Sequence, residues 1–454
     1  MSSRIVFREP QLDQLRGLLF DRPGIEGAAF ILCGEAHTAA GLKLISHAVL
    51  PIADEDYLAR EPDHLSIGSR ALARVSKLAR FEKLSVIFAH SHPEGLCAFS
   101  PQDDREEANL IPFLQARIPD RLHGTLVLTE DDIVGRIFAP DRRDVDALLS
   151  IGTRIRVLHS NTSRALPKFF DRQIRAFGGE NQVLLRTLRV GVVGLGGTGS
   201  PLVEQLYRLG VGELVLFDGD RLEESNLNRV YGSRLSDVGK LKVDVAKHRL
   251  DEIGLGTQVL TVAEHITWEG AARQLTTCDV VFGCTDKQIP RAILIQLSLR
   301  YAIPVFDLGV LLDSLGGVLR GVHGRVTTLL PGEACLLCRG RLSAEAMRLE
   351  ALSEPDRRQQ IRDGYAPDLA EPAPAVVAFT SAVASMAVSE FLHRVTGFMG
   401  PDRHSSELLI SFDQSKVRTN RVSAAEDCIC STEALFGRGD EGPFLGLFWP
   451  TRTK

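Results

Sequence analysis

The chain has 454 residues, 44% of them hydrophobic and 24% charged, with a formal net charge of −5. That length predicts two or three domains with sizeable cores. The balance is that of a soluble globular protein and gives no general nucleic-acid or membrane signal, and eight cysteines in such a length exclude a disulfide scaffold and suit metal binding instead.

The first seventeen residues, MSSRIVFREPQLDQLRG, carry charges throughout and no apolar core, so they do not read as a signal peptide, and a cytoplasmic location is expected. The spacing predicts a helix over 11–20, strands over 28–33 and 42–50, a helix over 69–77 and a buried strand over 84–89. That last strand delivers His90-Ser91-His92-Pro93. Alternate residues of an extended chain share a face, so His90 and His92 can reach one ion. Seven residues separate His92 from Ser100, and two separate Ser100 from Asp103 at the start of the next helix. Two imidazoles and a carboxylate make a usual catalytic zinc set, with the fourth position left to water. A helix over 104–113 and strands over 124–128 and 133–138 close this part; a charged segment begins at Pro140, and a strand over 154–158 lies in the connection. The first domain is placed at 1–140, a linker at 141–168, with the boundary anywhere from 140 to 168, and the second domain at 169–454.

The complete His90, His92, Ser100, Asp103 pattern resembles the JAMM motif of JAB/MPN metalloproteases. The resemblance implies an N-terminal α/β domain in which His90, His92 and Asp103 bind catalytic Zn²⁺ and Ser100 helps hold a tetrahedral oxyanion. It also implies a glutamate proton shuttle early in the first strand of that fold. Glu26 is the candidate, one residue farther from Gly34 than expected, which calls for a bulge; Glu35 is the second choice. The family cleaves peptide or isopeptide bonds after the C-terminal glycine of ubiquitin-like proteins. Structural histidines on a strand are the plain alternative.

Residues 189–220, RVGVVGLGGTGSPLVEQLYRLGVGELVLFDGD, give the order strand, glycine turn, helix, strand that builds a nucleotide site. Gly194, Gly196, Gly197 and Gly199 let the backbone approach a phosphate chain, and the following helix offers unpaired N–H groups to anionic oxygens. Asp218 lies twenty-four residues after Gly194, where a carboxylate can meet a ribose hydroxyl. Asp220, Asn226, Arg229, Lys242, Asp286 and Arg291 follow. A dehydrogenase has no need of them. An ATP-consuming enzyme does, because cations offset phosphate charge and a carboxylate can hold Mg²⁺.

This set, with the entry segment Asp171-Arg172-Gln173-Ile174-Arg175, resembles the ThiF/MoeB family of adenylating enzymes, the core of ubiquitin-activating enzymes, from about residue 170 to 430. The resemblance implies a Rossmann-like domain that binds ATP and Mg²⁺ and adenylates the C-terminal glycine of a ubiquitin-like or sulfur-carrier β-grasp protein. It implies that Asp218 and Asp220 frame the ribose and metal region, that Asn226, Arg229 and Lys242 meet the phosphates, and that Asp286 anchors Mg²⁺. Arg172 would reach the phosphates of the partner subunit in a homodimer. Lys240 is the less fitting lysine. Solvated surface cations are the plain alternative for Arg229, Lys242 and Arg291.

Farther on, the spacing predicts a helix over 235–255, a strand over 259–262, a helix over 269–275, a strand over 280–283, a helix over 291–301 and strands over 305–309 and 316–326. The weakly charged stretch 372–391 suits a buried helix better than a membrane span. Cys335-x-x-Cys338 and Cys428-x-Cys430 suit a closed structural zinc site, against four buried free thiols. No cysteine lies between Cys338 and Cys428, where ubiquitin-activating relatives carry a thioester nucleophile. The product is then an acyl adenylate, or the acceptor thiol comes from another protein. The aromatic tail after Cys430 reads as a docking segment for the partner subunit or the other domain.

The expectation is therefore a bifunctional protein of a bacterial ubiquitin-like modifier pathway, antiphage defence included, that adenylates a terminal glycine and processes or deconjugates the same protein. A conjugating enzyme or a sulfur donor is a further expected partner. The alternative is sulfur transfer in cofactor or metabolite biosynthesis. A nicotinamide oxidoreductase fused to a zinc module leaves Asn226, Arg229 and Asp286 without a role, and a non-catalytic adaptor leaves every chemistry-bearing residue without one.

Overall fold

The computed structural model describes residues 2–38, 40–139, 141–363, 374–400, 403 and 406–450. The chain forms two compact units: Met1–Ser163 with Arg300–Ala302 and Ala434–Gly446, and the remainder.

The first unit is built on a nine-stranded sheet. In chain order its elements are β1 (Ser2–Arg8), α1 (Glu9–Leu19), β2 (Ala28–Thr38), β3 (Gly41–Pro51), a small hairpin of β4 (Tyr57–Arg60) and β5 (Leu65–Ile67), α2 (Ser69–Glu82), β6 (Ser85–Ser91), α3 (Pro101–Arg117), β7 (His123–Leu128), β8 (Ile133–Ala139), β9 (Asp141–Asp144), β10 (Ala147–Ile151) and β11 (Ile155–Ser160). The strand order is β11-β10-β1-β3-β2-β6-β7-β8-β9. Strand alternation sorts the core onto two faces. Ala29, Ile31 and Cys33 of β2 and Ile87 and Ala89 of β6 pack with Leu12, Leu15 and Leu19 of α1. Ala28, Phe30, Leu32 and Val86 pack on the other face with Ala71, Val75 and Ala79 of α2 and Leu114 of α3. By the same alternation Phe88 and His90 belong to the α2/α3 face.

Residues 141–160 are not a linker. The apolar run of β10 is fully buried and pairs in parallel with β1, Arg4 opposite Ala147 through Arg8 opposite Ile151. Such a run has a core to complete. The tail divides similarly: Ala434–Gly446 is part of the first unit, with Phe436 and Phe444 buried, whereas Phe448 is fully exposed. Pro140 lies outside the described residues.

The second unit opens with α4 (Asp171–Phe177) and α5 (Gly179–Thr187). Then come β12 (Arg189–Val193), α6 (Gly199–Leu209), β13 (Glu213–Phe217), α7 (Lys242–Ile253), β14 (Gln258–Val262), α8 (Glu269–Leu275), β15 (Val280–Gly283) and α9 (Gln288–Tyr301). It closes with β16 (Val305–Leu315), β17 (Val318–Leu329), α10 (Ala344–Ala351), α11 (Glu354–Arg362), α12 (Val377–Thr396), β18 (Glu407–Ser411) and β19 (Lys416–Asn420). The sheet order is β14-β13-β12-β15-β16-β17-β18-β19, parallel from β14 to β16 and antiparallel beyond. The helix expected over 235–255 is shorter. A single 3₁₀ turn at Leu235–Asp237 and Gly239 at φ 88° interrupt it, so Lys242 is its first residue. α12 buries Val383, Ala384, Ala387 and Phe391, the last against Phe282 and Phe306. Pro372 and Ala373, which the sequence reading joined to this helix, lie outside the described residues. Among the described residues no helix is long and apolar enough to cross a membrane.

Candidate functional site

In the second unit the glycine turn lies at the carboxyl ends of β12, β13 and β15, where open α/β sheets bind ligands. Gly194 has φ +89°, and a Cβ there would stand 2.8 Å from the Cys284 carbonyl oxygen. A Cβ on Gly199 would overlap the Gly194 carbonyl oxygen, so these two glycines close the turn against β15 and α6. At Gly196 a Cβ would meet nothing within 4 Å, which leaves the space above the turn open to a ligand. The geometry fits a nucleotide phosphate chain. Gly199→Ala is expected to destabilise this unit by about 1–3 kcal/mol, as overpacking does; denaturant unfolding checks it.

Asp218 is buried, and burial raises its pKa. One carboxylate oxygen accepts from Leu195 N–H at 2.7 Å and the other from Asp220 N–H at 2.8 Å. Each oxygen keeps a second lone pair for a hydroxyl. Asp220 accepts from Lys242 Nζ at 2.8 Å, and this lysine side chain is only 12% exposed, against 58% for Lys240, which is turned to Asp237. Arg229 lies across Gly197, its Cδ 3.2 Å from where a Cβ would be, and it donates to the Ser225 carbonyl at 2.6 Å. Asn226 is buried and its amide is tied into its own turn, accepting from Glu223 N–H and donating to Ser225 Oγ, both at 3.3 Å. It therefore shapes the turn that carries Arg229. Asp286 is exposed just beyond β15, and Cys284, the residue after that strand, donates its N–H to the Val193 carbonyl at 2.8 Å. Arg291 is not a surface cation: its Nε stands 3.2 Å from the fully buried Asp307, which also holds Arg325 at 2.6 Å. Arg172 is exposed on α4.

The four cysteines converge. Cys335 Sγ and Cys428 Sγ are 3.6 Å apart, Cys338 Sγ and Cys430 Sγ 3.5 Å, and all four lie within 4.8 Å of one another. These separations are too long for a disulfide and near the roughly 3.8 Å edge of a tetrahedron with Zn–S bonds of about 2.3 Å. The donor set fits Zn²⁺. Cys428→Ser is expected to cost one zinc per chain and to lower the melting temperature of this unit; elemental analysis with calorimetry reads both.

In the first unit Ser91 pins the end of β6. Its Oγ donates to the Leu19 carbonyl at 3.0 Å and accepts from Gly27 N–H at 2.9 Å, on the face opposite the histidines. His90 Nε2 and His92 Nε2 point at each other across 3.2 Å. Asp103 joins them, Oδ1 at 3.0 Å from His90 Nε2 and Oδ2 at 3.5 Å from His92 Nε2. It is held by a capping box: Asp103 N–H donates to Ser100 Oγ at 3.2 Å, and Ser100 N–H to Asp103 Oδ2 at 2.6 Å. The Ser100 side chain also hydrogen-bonds the Asp103 carboxylate, so serine and aspartate hold each other in place. Burial would raise the Asp103 pKa, but its bonds to His90 and Ser100 bring it below the ordinary value. Three convergent donors, with two ring nitrogens sharing no proton partner but each other and a carboxylate, fit a metal ion.

Glu26 lies 3.8 Å from His92 Nε2 and lines the cavity beside the triad; burial pushes its carboxyl up to about 7. Glu35, the second choice, is elsewhere. It is buried and accepts from Leu122 N–H at 2.6 Å, from Ser85 Oγ and from His37 at 2.9 Å. The bulge expected between Glu26 and Gly34 is not found: β2 pairs with β6 without a slip from Ala28 to Cys33, and the slip against β3 between Leu32 and Cys33 reflects an extra residue, His47, in β3.

A family model described as the ThiF family matches residues 170–432. The chain belongs to the ThiF family. Apart from Arg300–Ala302 the match lies in the second unit, and it gives a Rossmann-like α/β domain. This ThiF chain is 34% identical over 134 residues to adenylyltransferase and sulfurtransferase uba4 of Aspergillus niger, covering 30% of the chain and 28% of the relative. It is 32% identical over 174 residues to ubiquitin-like modifier-activating enzyme 5 of Xenopus laevis, covering 35% and 41%. The chain thus spans well under half the length of these relatives. Among solved structures, Escherichia coli MccB with ATP aligns with a TM-score of 0.45 and 18% identity, over 58% of this chain and 74% of that one.

Several residues around the ThiF cradle escaped the sequence reading. Glu350 of α10 accepts from Gln288 and Ile289 N–H at 2.8–2.9 Å and so caps α9. Asp307 anchors two arginines. Neither sits in a local motif, and only the fold brings them together.

Proposed function

We propose that the second unit activates the C-terminal glycine of a ubiquitin-like or sulfur-carrier β-grasp protein as an acyl adenylate, and that the first unit is a JAB/MPN-type zinc hydrolase for an amide bond at such a terminus. The observation that carries the first half is the gathering of Arg229, Lys242 and Asp218 around one open glycine turn. A carboxylate oxygen of the carrier attacks the α-phosphorus of ATP, the bond from that phosphorus to its bridging oxygen breaks, and pyrophosphate leaves. The chain positions the reactants and balances charge. Arg229 and Lys242 offset the phosphates, Asp218 receives a ribose hydroxyl, and Arg172 reaches the nucleotide of a second copy in a homodimer. Asp286 and Asp220 would hold Mg²⁺, which supplies charge neutralisation when bound. The names of the two curated relatives favour this reading.

In the first unit His90, His92 and Asp103 would hold Zn²⁺, which supplies Lewis acidity and an activated water when bound. Glu26, beside these donors, would carry a proton from the attacking water to the leaving amine, and Ser100 Oγ would turn from Asp103 to donate to the oxyanion. The amide C–N bond breaks, with oxygen and proton supplied by water.

Labelled pyrophosphate, ATP and a glycine-terminated β-grasp protein test the first half. Exchange of label into ATP is expected only with the carrier present; no exchange rejects the reading. The lack of a cysteine between Cys338 and Cys428 favours one second reading, in which sulfide displaces AMP from the acyl adenylate, or a persulfide does so and a thiol then cleaves the S–S bond. A thiocarboxylate product, rather than an amide, identifies it by mass.

A further inference from the structure

The triad opens onto a cavity of about 290 Å³ whose walls follow from two periodicities. On β6, Phe88 shares the face of His90 one repeat away, its ring stacked 5.8 Å from the imidazole. On α3, Glu106, Leu110 and Phe113 continue the helix face that begins with Asp103. Leu65 and Ile67 of β5 and Leu72 of α2 complete the apolar lining. The metal donors thus share the cavity with six apolar side chains, with Ser66, Gln102 and Asn109 also in its walls. A strand advances about 7 Å in two residues, which is the reach of a Phe, Leu or Met side chain. An apolar cavity of about 150 Å³ already accepts a benzene ring.

Resting on the hydrolase reading above, we infer that this cavity receives the side chain of an apolar residue immediately following the terminal glycine. The first unit is then a trimming site for linear precursors, cutting glycine from an apolar leaving residue, rather than an isopeptidase. Glycine itself has no side chain to occupy the cavity, so the occupant belongs to the leaving side of the bond. Asp63, Glu26 and Glu106 in the lining disfavour an acidic occupant. Hydrolysis adds oxygen to the glycine carbonyl carbon and a proton to the leaving amine, and needs only water.

The test uses the zinc-loaded full chain and quenched-fluorescence peptides with Gly-Gly followed by Phe, Leu, Ala or Asp, plus a Gly-Gly isopeptide on lysine. Phe and Leu peptides should be cut at least about tenfold faster, by kcat/KM, than Ala, Asp or the isopeptide, the scale of hydrophobic-pocket discrimination. Leu110→Trp, which fills the cavity, should bring the Phe to Ala ratio toward one, with circular dichroism confirming the fold. Equal cutting of all peptides, or preference for the isopeptide, overturns the inference and leaves the hydrolase standing. No cutting of any peptide overturns the hydrolase and the inference with it. A second readout needs no activity: in ligand-observed NMR phenylalaninamide, but not glycinamide, should bind the parent chain and not L110W. Absence of that difference also overturns the inference.

Discussion

Lys242→Ala is expected to lower carrier-dependent pyrophosphate exchange by about 10²–10³, the loss seen when one donor to a developing charge is removed. Lys240→Ala should leave the rate near that of the parent. The two lysines are two residues apart, yet their surroundings differ. Lys240 is a mostly exposed partner of Asp237, the kind of surface pair worth about 0–1 kcal/mol. Lys242 opens α7, keeps only 12% of its side chain exposed, and reaches Asp220 beside the glycine turn, where its charge is less screened than that of Lys240. The ion pair with Asp220 also fixes where its ammonium sits, so the variant loses a preorganised charge. Exchange measured across a range of ATP concentrations separates the two effects: a loss in maximal rate marks charge stabilisation, and a loss only at low ATP marks binding.

Glu26→Gln is expected to reduce cleavage by the first unit by about 10²–10⁴, the usual contribution of a positioned acid–base group, with zinc content unchanged. Glu26 lines the cavity next to His92 but is not one of the three convergent donors, so the amide should leave the metal in place. Glu35→Gln should behave oppositely. Its carboxylate is satisfied by Ser85, Leu122 and His37, far along β2 from the triad. Its loss should cost stability, about 1–3 kcal/mol for a disturbed buried acceptor, while the folded fraction keeps its cleavage rate. Elemental analysis, unfolding curves and kcat on the folded fraction read these outcomes together.

How far the sequence reached depended on whether a feature was local. Glycines of a tight turn and alternate histidines on a strand are local constraints, and they were legible: the turn and the pair stand where the spacing put them, whereas the capping box between Ser100 and Asp103 went unread. The buried strands were legible for the same reason, since an apolar run has few places to go. What was not legible was mutual. The run of β10 reads as a connection until β1 is seen to need a neighbour. The aromatic tail reads as a docking segment, and Ala434–Gly446 does belong with the first unit, but no sequence period chooses between that unit and a partner subunit. Asn226 carries an amide suited to a phosphate, and only the turn shows where that amide is already bonded. The bulge inferred from a count on one strand is not there, and the irregularity that exists, His47 in β3, could not be counted from β2, because register belongs to a pair of strands. Phe88 and the 106, 110, 113 face could have been found by extending the two periods past the metal donors.

One measurement tests most directly the claim that a single chain trims and activates the same terminus. The zinc-loaded chain is given ATP, labelled pyrophosphate and a β-grasp carrier whose terminal glycine is followed by a short phenylalanine-led extension. Exchange is predicted to appear only after mass spectrometry shows the extension removed, to be absent with the Glu26→Gln chain, and to return when that variant receives carrier already ending in glycine. Exchange at the same rate with and without removal of the extension, or none with the glycine-ended carrier, would contradict the account.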